Sequence, residues 1–257
     1  MLYAAQSHVG LVRQTNQDVF ELSDIPATHQ YMIVADGMGG ASAGDVASRM
    51  AVDTVATGLK QALQDHRTED IPEVLREAVL EANRKVWESS QTHEEYFGMG
   101  TTMVAAMFDG NEVVFAHVGD SRGYILMAGS LQQVTSDHSL VAELVRRGQL
   151  TPDEAVHHPQ RNIVTRSLGT DSQSIVDIDV LKWKEGDVVL LCSDGLTNLV
   201  GKEELEHTLF PLQIATTNVE VENVVQKLLQ MALHRGAPDN VTIAIAVHNG
   251  SMRSEDA

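Results

Sequence analysis

TTMVAAMFDGNEVVFAHVGDSRGYILMAGSLQQVT, residues 101–135, decides the fold class. It holds four short runs, TTMVAAMF, EVVFAHVG, RGYILMA and SLQQVT. The first three are strongly apolar, and all are too short to be helices and rich in strand-forming residues. Asp109-Gly110-Asn111 and Ala128-Gly129 supply turn residues between them, so the segment is expected to be an antiparallel meander.

Outward from this meander the strands and helices come in groups. LYAAQSHVG, QDVFEL and YMIVAD precede it as strands; SIVDIDVLKW, DVVLLCSD and VTIAIAV follow. Helical spacing of apolar residues predicts helices at about 44–63 and 71–90, the second opening on Pro72, and at 202–210 and 219–234. Grouped elements favour an α+β fold with antiparallel sheets over a doubly wound parallel sheet. Between Asp137 and Gly169 the pattern changes to two short helices, SLVAELVRRG and TPDEAVHH, and a polar stretch, HPQRNIVTRSLGT. That insertion is expected to lie over the sheet rim as a substrate-facing flap. Residues 1–248 are expected to form one catalytic domain, with the flap at about 137–169 and a tail at 249–257.

Bulk composition narrows the function. The 257 residues carry a formal net charge of −18, which argues against a nucleic acid or an anionic membrane as partner. The opening MLYAAQSHVGLVRQ lacks the basic and apolar regions of a signal peptide, and no apolar run reaches the length of a membrane span. A soluble cytoplasmic protein is expected. The single cysteine, Cys192, lies inside VVLLCSD and is expected to be a core thiol rather than a nucleophile.

The chemistry lies at the ends of the strands. Asp36 closes YMIVAD, Asp120 closes VVFAHVGD, Asp194 closes VVLLCSD, and Asp239 opens PDNVTIAIAV. A buried sheet ending repeatedly in carboxylates gathers negative charge at one rim, and such a cluster requires protons, arginines or metal cations. Metal is the favoured counter-charge. Carboxylates and backbone carbonyls are hard oxygen ligands suited to Mg²⁺ or Mn²⁺, whereas the chain lacks the His and Cys spacing of a zinc centre. Asp36 can offer two oxygens and bridge two ions, and Gly37 leaves its own carbonyl open to a cation. Gly39 and Gly40 permit a sharp turn beyond it. Taken singly, each Asp-Gly is more simply a turn; the signal lies in their repetition at strand ends.

Six motifs then occur in order: R-x-x-N-Q-D (13–18), D-G-M-G-G (36–40), G-M-G-T-T (98–102), V-G-D-S-R (118–122), S-D-G-L (193–196) and P-D-N-V-T (238–242). Together they resemble the metal-dependent Ser/Thr protein phosphatases of type 2C (PPM), bacterial branch, over nearly the whole chain. The resemblance implies two stacked antiparallel β-sheets flanked by pairs of helices. It also implies a two-metal centre of Mn²⁺ or Mg²⁺: Asp36 bridging, the Gly37 carbonyl on the first ion, Asp194 and Asp239 on the second. Asp120 matches the aspartate that, with Asp194, holds a third, weaker ion. Asp18 resembles a carboxylate orienting a metal-bound water, and Arg13 the arginine that grips the substrate phosphate. Phosphoserine and phosphothreonine proteins, and a cognate Ser/Thr kinase acting on them, are the partners implied, with the phosphatase a monomer.

Two departures matter. Met38 stands where many eukaryotic relatives carry a proton-donating histidine, so a metal-bound water is the expected acid, and Gln17 replaces a glutamate. Arg13 and Asp18 are an odd number of residues apart, so a bulge or loop must intervene if both serve one site. In the flap, Arg161 and Arg166 are candidates for steering a phosphopeptide, against plain solvated charge, and Arg161 is taken as a substrate-binding residue. His117 is expected to be a satisfied core histidine, Thr101 and Thr102 structural hydroxyls, and Arg122 the partner of a nearby carboxylate. Two rivals stand beside the phosphatase: a catalytically silent binding module, and a metal-dependent phosphohydrolase of small molecules.

Overall fold

Neighbouring side chains of strand β5 (Met103–Asp109) serve two different cores. Val104, Ala106 and Phe108 point one way, into a layer with Phe115, Val189, Leu191 and Ala244 between two sheets. Met103, Ala105 and Met107 point the other way, against helices α1 (Ala43–Gln64) and α2 (Ile71–Thr92). Both faces are covered, which is why the strands are apolar without alternation. The computed structural model describes residues 1–23, 29–39, 43–65, 67 and 70–250. Gly40 and residues 251–257 of the expected tail lie outside them.

The remaining strands are β1 (Leu2–His8), β2 (Asp18–Leu22), β3 (His29–Met38), β4 (Gly100–Thr101), β6 (Glu112–Val118), β7 (Arg122–Met127), β8 (Ser130–Gln133), β9 (Asp177–Lys182), β10 (Val188–Cys192) and β11 (Val241–Val247). One sheet runs β1-β11-β10-β7-β8. The other runs β2-β3-β5-β6-β9, with β4 paired to β3. The described pairings between strands are antiparallel. α1 and α2 cover the second sheet; α6 (Lys202–Leu209) and α7 (Asn218–His234) cover the first, packing Leu205, Leu209, Val225 and Leu229 against Leu190, Ile243 and Ile245. The fold is therefore α+β, an α-β-β-α sandwich.

The expected meander is corrected in two places. TTMVAAMF is not one strand: it breaks at Thr102, which still donates its N–H to the carbonyl of Asp36 in the facing strand at 2.9 Å, while the Asp36 N–H goes to the Thr102 hydroxyl at 3.1 Å and not to its carbonyl. Nor does the chain continue in one sheet past His117. β6 pairs with β5 and β9, while β7 pairs with β8 and β10 in the opposite sheet. Val118-Gly119-Asp120-Ser121 is thus a crossing between layers. Gly119 makes it possible, with φ +111°, where a Cβ would sit 2.6 Å from that of Thr102.

The insertion holds α3 (Leu140–Arg146), N-capped by Ser139, and α4 (Pro152–Val156), opened by a capping box between Thr151 and Glu154. Its root is pinned by isolated bridges, Ser139 to Val164 and Thr101 to Leu168. No helix of the described residues is long and apolar enough to cross a membrane.

Candidate metal centre

The hairpin of β2 and β3 sets Asp18 directly opposite Asp36. Like charges facing each other across a ladder repel, so this register needs compensation. The other carboxylates reach the same rim by different routes. Asp120 stands at the crossing between the sheets, and Asp194 opens the short helix α5 (Asp194–Thr197) at the end of β10. Asp239 precedes β11, the neighbour of β10. Arg13, Asp36, Gly37, Asp120, Asp194 and Asp239 line a single cavity of about 310 Å³, and Asp18 is buried at its edge.

Burial and mutual repulsion leave their mark on these groups. Asp36 is held well above the usual carboxylate range by burial, then by the charges of Asp18, Asp194, Asp120 and Asp239. Burial raises Asp18 to about 7, against hydrogen bonds from Ser193 and Thr242 that favour its charged form. Asp120 rises to about 7 through burial, Asp194 and Asp137. Asp194 is raised by burial and by Asp239. Among the described residues the cation hydrogen-bonded to this group is Arg13, whose Nη2 donates to Asp239 Oδ2 at 2.9 Å. The buried Oδ1 of Asp18 has no hydrogen-bond partner among the described residues. Five carboxylates, one arginine and an orphaned oxygen make a donor set that fits hard divalent cations.

The backbone is shaped to the same end. A Cβ on Gly37 would collide with the carbonyl oxygen of Gly44, so only glycine admits α1 this close to the strand end. Thr101 donates its hydroxyl to the carbonyl of Asp36 at 2.9 Å, and Thr102 Oγ1 accepts the Asp36 N–H at 3.1 Å. These hydroxyls are structural, as expected, and what they hold is Asp36.

The odd spacing of Arg13 and Asp18 resolves simply. Arg13 lies in the loop before β2, so strand parity does not apply. That loop is gripped by Asn240, whose only signal in the sequence is its place in P-D-N. Its Nδ2 donates to the carbonyls of Val9 and Thr15 at 2.9 and 3.0 Å, and its Oδ1 accepts from Gln17 N at 2.8 Å. Ser193, which S-D-G-L marks no more clearly, donates to Asp18 Oδ2 at 2.7 Å. From the flap, Asn162 and Val164 reach the cavity wall. Arg161 does not: it lines an adjoining groove of about 680 Å³ that also touches Asp120 and Asp194. Arg166 turns instead to Asp177, at 3.2 Å.

Other expectations sort as follows. Cys192 is fully buried, its thiol pushed up to about 12 by burial. Arg122 pairs with Asp137 through two parallel hydrogen bonds, Nε to Oδ1 at 3.0 Å and Nη2 to Oδ2 at 2.7 Å. His117 is buried as expected but only half satisfied. Its Nε2 meets Ser136, while Nδ1 has no partner among the described residues.

A family model described as protein phosphatase 2C matches residues 7–233. The serine/threonine phosphatase stp of Listeria welshimeri is 39% identical over 251 residues, covering 96% of each chain. The crystal structure of the Mycobacterium tuberculosis serine/threonine phosphatase PstP/Ppp superposes with a TM-score of 0.84 at 37% identity, over 96% of this chain and 98% of that one. A PstP catalytic domain solved with two manganese ions gives a TM-score of 0.81 at 35% identity, over 95% of this chain and 96% of that one. Matched by the family model over most of its length and by relatives from end to end, the chain belongs to the protein phosphatase 2C family.

Proposed function

We propose that the chain is a metal-dependent protein serine/threonine phosphatase, releasing phosphate from phosphoserine and phosphothreonine and opposing a bacterial Ser/Thr kinase. The observation that carries this is the convergence of Asp18, Asp36, Asp120, Asp194 and Asp239 on one rim, with Arg13 lining the same cavity and bonded to Asp239. Asp36, the Gly37 carbonyl, Asp194 and Asp239 are the residues to hold two Mn²⁺ or Mg²⁺ ions, and Asp120 with Asp194 a third, weaker one. Such ions, when bound, supply a water of lowered pKa and positive charge against the phosphoryl oxygens.

The chain's own residues do the rest. Arg13 is exposed at the cavity mouth, and its planar guanidinium can take two phosphate oxygens at once. Ser193 fixes one oxygen of Asp18, so the other offers an acceptor of set direction to an attacking water. No histidine or cysteine lines the cavity among the described residues, and Met38 beside it carries no transferable proton. This argues against a phosphohistidine or phosphocysteine intermediate, and the step proposed is direct attack by water. Residues 1–248 act in this proposal as one catalytic unit, a cytoplasmic monomer with residues 137–169 as its flap.

The test is hydrolysis of a phosphothreonine peptide with Mn²⁺, with a chelator, and with Asp239→Asn. Activity is expected only in the wild type with metal. Turnover that survives chelation would refute the mechanism. A wild-type protein inert with every divalent ion would favour the silent binding module.

A further inference from the structure

His138 is buried at the root of the flap and bonded on every side. Its main-chain N–H donates to the carbonyl of Gly119 at 2.9 Å, and its carbonyl accepts from Thr165 N at 2.7 Å. The ring repeats the first connection, Nδ1 accepting the Gly119 N–H at 3.1 Å. An amide donating to Nδ1 leaves the proton of a neutral imidazole on Nε2. Nε2 therefore donates to Asp177 Oδ2, 3.1 Å away. Arg166 completes the group, its Nη1 donating to Asp177 Oδ1 at 3.2 Å.

His117, His138 and Asp177 also bring ligand-type atoms within 4.8 Å of one another. A metal is nevertheless a poor fit. Both ring nitrogens of His138 are engaged, and Arg166 already supplies Asp177 with a cation. The two imidazoles stack at 4.7 Å with 19° between their planes, so their lone pairs run alongside each other rather than converge. The arrangement is a clamp.

What it clamps gives it meaning. Gly119 precedes Asp120, and its other side packs on Thr102, which holds Asp36. Thr165 and Arg166 belong to the flap. We propose that His138 is a positioning residue that ties the flap to the loop bearing Asp120, so that the seating of the flap and the geometry of the weaker ion site are set together. The inference rests on the assignment of Asp120 above.

The experiment titrates Mn²⁺ into chelator-stripped protein by calorimetry and follows amide exchange at Gly119 and Thr165. His138→Gln, which can still reach Asp177 but offers no acceptor at the Nδ1 position, should weaken the weak class of site about tenfold and leave the tight class within about twofold. His138→Asn restores an acceptor there and should recover the weak class. Asp177→Ala removes the carboxylate on the half-exposed side of the clamp and should speed exchange at Thr165 more than at amides of the β-sheet core, which separates loosening of the clamp from a general loss of stability. Equal weak-site affinity in His138→Gln and wild type would overturn the proposal. Should the wild type bind no third ion, the assignment of Asp120 fails on its own. The clamp is then judged in ion-free protein: faster exchange at Gly119 and Thr165 in Asp177→Ala supports it, and unchanged rates overturn it.

Discussion

Two groups of carboxylates occupy this molecule, and they differ in how their charge is matched. Asp137 and Asp177 each have an arginine within hydrogen-bond reach, Arg122 and Arg166 respectively. Among the described residues, Asp18, Asp36, Asp120 and Asp194 have no arginine bonded to them, and Asp239 has the exposed Arg13. Matched carboxylates hold the structure together. Unmatched ones, left buried against one another, destabilise the protein that carries them and are expected only where a ligand supplies the missing charge. Proteins commonly trade stability for function in this way.

The harshest attempt to break the contrast is Asp36→Asn, which removes one unmatched charge and leaves the shape. Phosphopeptide hydrolysis should fall by about 10³-fold or more, as expected when a bridging ligand is lost. The ion-free protein should at the same time melt at a higher temperature, because Asn imitates the neutral carboxyl that burial and Asp18 already favour. A variant both inactive and less stable without metal would mean that Asp36 belongs with the matched group.

Acidity provides the second attempt. Asp18 and Asp120 both rise to about 7 from an ordinary value near 3.8. The folded chain then binds more protons than the unfolded one between those limits, so unfolding becomes easier as pH rises. Their stabilisation is fully present below the ordinary value and is lost as pH passes about 7. The melting temperature of ion-free protein should therefore drop by several degrees from about pH 6 to about pH 8. Saturating Mn²⁺ should abolish the drop, since bound cations favour the charged carboxylates. A melting curve equally pH-sensitive with and without Mn²⁺ would count against the rim as an ion site.

Turning to the matched group, Arg122→Ala leaves Asp137 with 14% of its side chain exposed and without its two-point partner. Loss of about 2 kcal/mol of folding stability is expected, below the 3–5 typical of a fully buried pair because Arg122 is 30% exposed. Chemical denaturation would measure it, and a change under about 0.5 kcal/mol would place this pair among ordinary surface contacts.

The contrast was only half legible in the sequence. Asp36, Asp120, Asp194 and Asp239 announce themselves because each sits at the end or start of an apolar run, and strand ends share a rim whatever the order of the strands; Asp18 is legible only through the family resemblance. The matched pairs give no such sign. Asp177 and His138 are 39 residues apart and meet only through the pairing of β9 with β6 and the folding back of the flap. The crossing at Gly119 was hidden for a related reason. With both faces of β5, β6, β7 and β10 buried, alternation carries no mark of which sheet these strands join, and V-G-D-S resembles any hairpin turn. Arg161 lines the groove beside the cavity while its neighbours Asn162 and Val164 line the cavity itself, a difference that the irregular polar stretch of the flap does not encode in any period.

The mildest prediction concerns Arg13, the cation that touches the rim among the described residues. Arg13 is 53% exposed and Asp239 39%, so water screens their ion pair and Arg13→Ala should alter stability by less than about 0.5 kcal/mol. Its effect should appear on substrate instead. A phosphate brings its own negative charge to the cavity mouth, where a guanidinium bonded to Asp239 can turn to meet it. Losing that two-point contact should raise KM about tenfold, with kcat changed much less. Were KM unchanged and the melting temperature lowered, Arg13 would be a partner for Asp239 and nothing more, and the rim would hold one matched carboxylate after all.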